Sequence, residues 1–489
     1  MRPRGQFWWV AVMAITAVGL VACSPSQPTA APTATAGATP SSVPTPEPSH
    51  DFKPGAAGIG DPYFPAYGNG GYDVASYGIK VKYDPKTDKL SGDVTITAAA
   101  TQDLSGFNLD LAGLSVRSVT VDDVAATVRR QANELIVTPA KGIASGGTFV
   151  THVVYDGVPK PVKNKYKDLG EGGWFATADG AIVLGQPDSA AGWFPVNDHP
   201  LDKAVYTIEA TVPKGLTAVS NGVLGTTTTT GAWTTWTWSE SKPMASYLST
   251  LVIGKFRVTT GTHNGKPVYS AVTTKIAKGA ADTSVAHTVK IADFLETQFG
   301  PYPFDSYGGV VISDDRIHFA LETQSRPVYS AGFFRNGVND TVIAHELAHQ
   351  WFGDAIAVHH WEDIWLNEGF ARYAEWLWND HAGVQSAQKS FNLTYQRSTP
   401  DVWKTPPGRP GAAHIFDATV YDRGAMTLHA LRKAVGDRAF FAIVKAWTTE
   451  KTGGNGTTAE FVALAEKESG KQLDSLFDAW LYGKTKPKL

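Results

Sequence analysis

The sequence predicts two globular halves, an all-β domain followed by an α+β domain. Three observations carry that expectation. The chain has 489 residues, beyond the usual size of a single domain. From about Asp61 to Phe256 apolar and polar residues alternate with the period of a strand. After about Arg257 the apolar spacing turns helical. Hydrophobic residues make up 43% and Trp numbers 15, so sizeable cores can form. Lys+Arg total 43 against 46 Asp+Glu, and this lack of a basic excess excludes a nucleic-acid partner from the expectations. The lone cysteine, Cys23, excludes an intramolecular disulfide and a thiolate metal cluster. Any bound metal must therefore use His and carboxylates.

In the β half, assigned to residues 58–256, Tyr77-Gly-Ile-Lys-Val-Lys-Tyr83 and Gly92-Asp-Val-Thr-Ile-Thr97 alternate cleanly. Tyr206 to Val212, Thr234 to Trp238 and Tyr247 to Ile253 are also β-rich. Asp84-Pro85-Lys-Thr-Asp88 and Ser220-Asn221-Gly222 supply turns, and antiparallel sheets are expected. In the second half, residues 257–489, helical spacing marks Asp282 to Gln298, Val342 to Phe352, Asn367 to Trp378, Ala425 to Val435, Thr458 to Ser469 and Leu473 to Leu481. A short β segment, Gly309-Val-Val-Ile-Ser313, precedes Phe319 to Gln324.

The N-terminus reads as an export signal over residues 1–22. Arg2 and Arg4 precede an almost wholly apolar Phe7 to Leu20, which is short for a membrane-spanning helix. Leu20-Val21-Ala22-Cys23 resembles the bacterial lipobox. The resemblance implies cleavage before Cys23, lipid attachment to its sulfur, and a protein anchored on the extracytoplasmic face of the cell membrane. The plain alternative is an ordinary signal peptide with a chance Cys. Residues 23–57 are rich in Pro, Thr, Ser and Ala and read as a flexible tether.

His345-Glu346-Leu-Ala-His349 is the central motif. Asn339 or Asp340 can cap a helix there and Gly353 can end it. On such a helix His345 and His349, at i and i+4, share a face and can reach one metal ion. Glu346 can stand near the metal without ligating it, which suits a general base. Taken alone, the motif leaves open two histidines on an ordinary helix. Leu366-Asn-Glu368-Gly-Phe-Ala371 follows. Two His and one Glu form a known catalytic zinc set, with water in the fourth position. Glu368 is far enough along the chain for a loop and a return on an antiparallel helix.

His345-Glu-Leu-Ala-His349-Gln-Trp-Phe-Gly353-Asp354, followed by Trp365-Leu-Asn-Glu368-Gly-Phe-Ala371, resembles the gluzincin aminopeptidases, the family of aminopeptidase N and the leukotriene-A hydrolases. The resemblance runs from about Tyr72 onward. It implies a saddle-like N-terminal β domain and a thermolysin-like catalytic domain. It implies a single Zn2+ per chain on His345, His349 and Glu368, Glu346 as general base, and peptide substrates with a free N-terminus. The family's Gly-x-Met-Glu-Asn stretch corresponds to Phe319-Ala320-Leu321-Glu322-Thr323. Ala320 and Glu322 keep the usual form and are assigned to substrate binding, with Glu322 on the α-amine. Phe319, Leu321 and Thr323 depart from it. Beside an edge strand, this run could also hydrogen-bond the substrate backbone. Val420-Tyr421-Asp-Arg423-Gly424 matches the family's Tyr ahead of a helix, whose phenol donates to the oxyanion. Gln186, before Trp193-Phe194-Pro195, matches a position that touches the substrate amine. Larger relatives carry further domains beyond Trp480-Leu481, which implies a more open cleft here.

His359 and His360 invite a second metal site, but adjacent side chains rarely point the same way, and they are expected not to be ligands. The role of His318 stays open. Three alternatives share these residues. A zinc endopeptidase would not need a free α-amine. An epoxide hydrolase would need a lipid channel, of which the sequence gives no sign. A catalytically silent surface binding protein is at odds with intact ligands, base and Tyr.

Overall fold

The computed structural model describes residues 50–489, one compact unit. The export signal, Cys23 and the first part of the tether lie outside the described residues. The end of the tether segment is tied to the β half. The His50 ring bonds the Asp103 carboxylate at 3.0 Å, and Gly55 N–H donates to the Gly106 carbonyl. Lys53–Pro54 pairs in parallel with Leu104–Asp110. Among the described residues no helix is long and apolar enough to cross a membrane.

The alternating runs become strands. Tyr72–Asp84 and Lys89–Ala100 form a long hairpin whose turn places Asp88 at positive φ. Tyr77, Ile79, Val81 and Tyr83 all point inward. The hairpin sits inside an eight-stranded sheet, and the β half also holds a four-stranded and a five-stranded sheet. The expected antiparallel pattern needs one correction. Tyr72–Asp84 pairs in parallel with Lys203–Pro213, matching Tyr77 to Tyr206 and Ile79 to Ile208. The chain between them builds other strands, and such a long crossover is what parallel pairing requires.

The second half begins with a hairpin that the sequence reading passed over. Phe256–His263 and Lys266–Thr273 join through Asn264 and Gly265, both at positive φ, a turn that fits the right-handed strand twist. Tyr307–Ile312, Val328–Ser330 and Ala320–Leu321 complete a mixed five-stranded sheet in that order, so Ala320–Leu321 is its edge.

Three helices carry the site. The His helix, Asp340–Ala348, touches the sheet at its Ala320–Leu321 edge. The Asn339 side chain caps this helix and accepts from Val342 N–H. It ends earlier than expected, with His349 as its C-cap. The Glu helix spans Trp365–His381. The Tyr helix spans Ala418–Val435 and starts ahead of the expected Ala425, so Tyr421 lies within its first turn rather than before it. Gly424 masked that start, because glycine in a helix interior reads as a break. The reason for the glycine is tertiary. Gly424 meets Gly369 of the Glu helix backbone to backbone. The expected 282–298 helix is two, Ala280–Ala286 and Thr288–Phe299, and Thr458–Ser469 carries a capping box between Thr457 and Glu460.

The two halves are stitched by buried polar contacts. Lys203 Nζ donates to the carbonyls of Asp354, Ala355 and Gly454. Asn221 Nδ2 donates to the Gln324 carbonyl at 2.9 Å, and Gly222 N–H to Ser325 Oγ at 2.7 Å. The Asn221 and Gly222 contacts fix the loop that follows Glu322.

A Cβ at Gly424 would lie 2.8 Å from the Gly369 Cα, an atom that moves only with its helix. Alanine gains helix propensity of about 1 kcal/mol at most, less than a typical overpacking cost of about 1–3 kcal/mol. Gly424→Ala is expected to lower stability by about 1–2 kcal/mol, read as a lower urea midpoint at unchanged m-value. Undiminished stability would show that the helices do not depend on this contact.

Candidate active site and metal centre

His345, His349 and Glu368 converge. Their donor atoms lie within 4.8 Å of one another. Glu368 Oε2 stands 3.5 Å from His345 Nε2 and 3.3 Å from His349 Nε2. The other ring nitrogens are held from behind. His345 Nδ1 bonds Glu375 Oε1 at 2.7 Å, and His349 Nδ1 bonds the Phe352 carbonyl at 3.0 Å. These partners hold Nδ1 and point each Nε2 into the shared space, the arrangement expected of metal-ligating imidazoles. Two imidazoles and a carboxylate suit zinc, and the residues fit that ion.

The electrostatics separate the carboxylates. Burial pushes Glu368 up, but the imidazoles, His349 first, outweigh it and hold it down at about 2. Burial lowers His349, but Glu368 and Glu322 raise it to about 9. A cation entering there displaces protons from the rings. Glu346 is pushed up to about 7, chiefly by burial, with Glu322 and Glu368 adding repulsion and the two imidazoles opposing. Burial also raises Glu322, with His349 opposing and Glu368 adding. Tyr421 is held well above the usual phenol range by burial and then by Glu368, Glu322 and Glu346, so it keeps its proton to donate.

These groups line one cavity of about 530 Å³. Glu322, 3% exposed, lies on its wall, where its Oε1 accepts from Tyr247 OH at 3.1 Å and from Gln186 Nε2 at 3.3 Å. Ala320 lines it from the edge strand, and Tyr421 closes it with its ring nearly parallel to that of His345, 6.0 Å away. The structure thus brings together all the site residues singled out from the sequence, Cys23 aside, which lies outside the described residues. His318 also lines the cavity.

His359 and His360 differ from the expected geometry. Their side chains do not diverge. His359 Nδ1 lies 3.2 Å from His360 Nε2, with the rings edge to face. Among the described residues no third donor joins them in a metal-binding group.

Sequence reasoning missed four residues. Tyr247 and Gln350 hold the Glu322 segment, Gln350 Nε2 by bonding the Glu322 carbonyl at 3.0 Å. Glu375 and Arg372 stand behind His345. Glu375 is two turns beyond Glu368 on the same helix face, a signal the sequence does carry. Arg372 pairs with Glu375 three residues along the same helix, while Tyr247 and Gln350 depend on contacts between distant segments.

The Peptidase M1 N-terminal domain matches residues 73–248, and the Peptidase family M1 domain matches residues 283–480. The chain belongs to peptidase family M1. An M1 zinc metallopeptidase from Deinococcus radiodurans is similar over 88% of this chain and 99% of that one, with 31% identity and a TM-score of 0.80. A mutant of that protein has been solved bound to a Tyr-Ser-Ala substrate. Aminopeptidase M1-C of Oryza sativa subsp. japonica is 27% identical over 83% of this chain and 49% of its own length. Human glutamyl aminopeptidase is 29% identical over 60% of this chain and 33% of its own length. This M1 chain spans about half or less of the length of such curated relatives.

The stripped protein is expected to take up a single zinc ion per chain in titration calorimetry and to melt at a higher temperature with zinc than without. Glu368→Gln removes the one anionic donor and should abolish most of that shift. An equal response to zinc in both proteins would remove Glu368 from the ligand set.

Proposed function

We propose that this chain is a zinc-dependent aminopeptidase that removes the N-terminal residue from peptides. One observation carries the reading. A metal-binding triad and a buried carboxylate suited to an ammonium group, Glu322, open onto the same cavity. An endopeptidase would have no use for Glu322 there.

Zinc on His345, His349 and Glu368 would polarise the scissile carbonyl and ready a water for attack near neutral pH. Glu322 pairs with the protonated α-amine, held in place by Tyr247 and Gln186. That pairing sets the cut one residue in. The Ala320–Leu321 edge offers backbone groups to the substrate. Glu346, buried beside His349, takes the proton from the attacking water and gives it to the leaving amine. Tyr421 donates a hydrogen bond to the carbonyl oxygen as negative charge grows.

A panel of aminoacyl reporter substrates tests this reading. Glu346→Gln is expected to lower kcat by about 10²–10⁴-fold and Tyr421→Phe by about 10²–10³-fold. Glu322→Ala should impair substrates with a free amine, and N-acetylated substrates should resist the native enzyme. Cleavage of acetylated peptides at the same rate would instead favour an endopeptidase.

We also propose that the protein is exported and lipid-anchored through Cys23 on the outer face of the cell membrane. Leu20-Val21-Ala22-Cys23 and the basic, then apolar, residues before it support this. In the producing cell Cys23→Ala is expected to move the protein from the membrane fraction to the soluble one. Unchanged membrane association would overturn the anchor.

A further inference from the structure

Behind the metal centre runs a chain of charged contacts that the catalytic reading does not use. Glu375 is 8% exposed and splits its carboxylate between two partners. Oε1 faces His345 Nδ1 at 2.7 Å, and Oε2 accepts from Arg372 Nη1 at 2.6 Å. Arg372 Nε then donates to Asp422 Oδ1 at 2.9 Å. Arg372 and Glu375 sit on the Glu helix at i and i+3, while Asp422 belongs to the Tyr helix, next to Tyr421. The rings of Tyr421 and His345 lie 6.0 Å apart and 18° from parallel. Hydrogen-bonded contacts thus run from His345 through Glu375 and Arg372 to Asp422, the chain neighbour of Tyr421, whose ring lies beside that of His345.

Arg372, Glu375 and Asp422 do not line the substrate cavity. They line a second cavity of about 540 Å³ on the other side of these contacts. Arg372 thus stands on the wall of the second cavity, not the first. We propose that Arg372 is a positioning residue that yokes the metal-facing ring of His345 to the helix turn carrying Tyr421.

The chemistry of the side chain fits the task. A guanidinium is planar and offers several N–H groups in a fixed fork, so it can hold two carboxylates at a set angle. The Glu375 carboxylate orients the imidazole, and Arg372 in turn orients Glu375. Partners of this kind influence metal retention and activity by about 10–100-fold. The Asp422 contact extends that control to a second helix. The Tyr421 half of the inference rests on the aminopeptidase reading, whereas the His345 half does not.

The test uses the zinc-loaded full chain with Arg372→Ala, Arg372→Lys, Asp422→Asn and the Arg372→Ala/Asp422→Asn pair. Three quantities are measured: the rate of zinc transfer to a colorimetric chelator, kcat and KM on an aminoacyl reporter, and melting temperature. Arg372→Ala is expected to speed zinc loss and to lower kcat, each by about tenfold, with KM within about twofold of native. Asp422→Asn, which touches no metal ligand, should shift both in the same direction. The paired variant should be no worse than Arg372→Ala, because both changes break one connection. Lys at 372 should not rescue. Zinc release within about twofold of native in both Arg372→Ala and Asp422→Asn would overturn the yoke, as would effects that multiply in the pair. Should Arg372→Ala fail to fold, Asp422→Asn and Arg372→Lys decide by the same readouts. Faster zinc release in a protein that hydrolyses no reporter, native form included, would sink the aminopeptidase reading and leave the His345 half standing.

Discussion

Where the Glu helix crosses the Tyr helix, one glycine lies directly on another, and the site depends on that approach. Gly369 follows Glu368, and Gly424 comes three residues after Tyr421. Without side chains between them the helix axes come close enough for the carboxylate and the phenol to share a cavity. The His helix then packs against the Glu helix, and the imidazoles arrive on either side of Glu368. Residues far apart in the chain thus meet because two backbones can touch.

Given that placement, burial divides the labour among similar groups. Glu322, Glu346 and Glu368 are all buried around the same space. Among them, Glu368 alone has an imidazole within 4.0 Å of its carboxylate on each side, and it stays strongly anionic. Glu346 is pushed up to about 7 by burial, against the pull of the two imidazoles and with added repulsion from its fellow carboxylates. Environments that drive like groups apart are how one cavity holds both a firm metal donor and a proton carrier.

The part of this that was legible in the sequence is local. Helical spacing makes His345 and His349 neighbours whatever else the chain does, and Glu368 belongs to a residue pattern specific enough to place. The start of the Tyr helix is not legible locally, because Gly424 has a purpose visible only across a helix crossing. Asn264-Gly265 is a hairpin signal that the sequence does carry. The parallel match of Tyr77 with Tyr206 could not be read at all, since strand alternation says which face is buried but not which neighbour lies alongside. Arg372, Asp422, Tyr247 and Gln350 are ordinary polar residues in sequence, and only long-range packing gives them their work. His359 and His360 point toward each other because the chain turns between a short strand and a 3-10 helix, where the rule for alternating side chains no longer applies.

The Ala320–Leu321 edge is only two residues long. So brief a border gives a neighbouring molecule too little to build a sheet on, which guards against stacking into aggregates. The same brevity leaves a small docking rail of main-chain amides and carbonyls. Every polypeptide carries matching groups, so the rail itself is blind to the identity of what it holds. Beside the rail the cavity wall carries Phe175, Phe319 and Phe416 together with the polar Arg316 and His318.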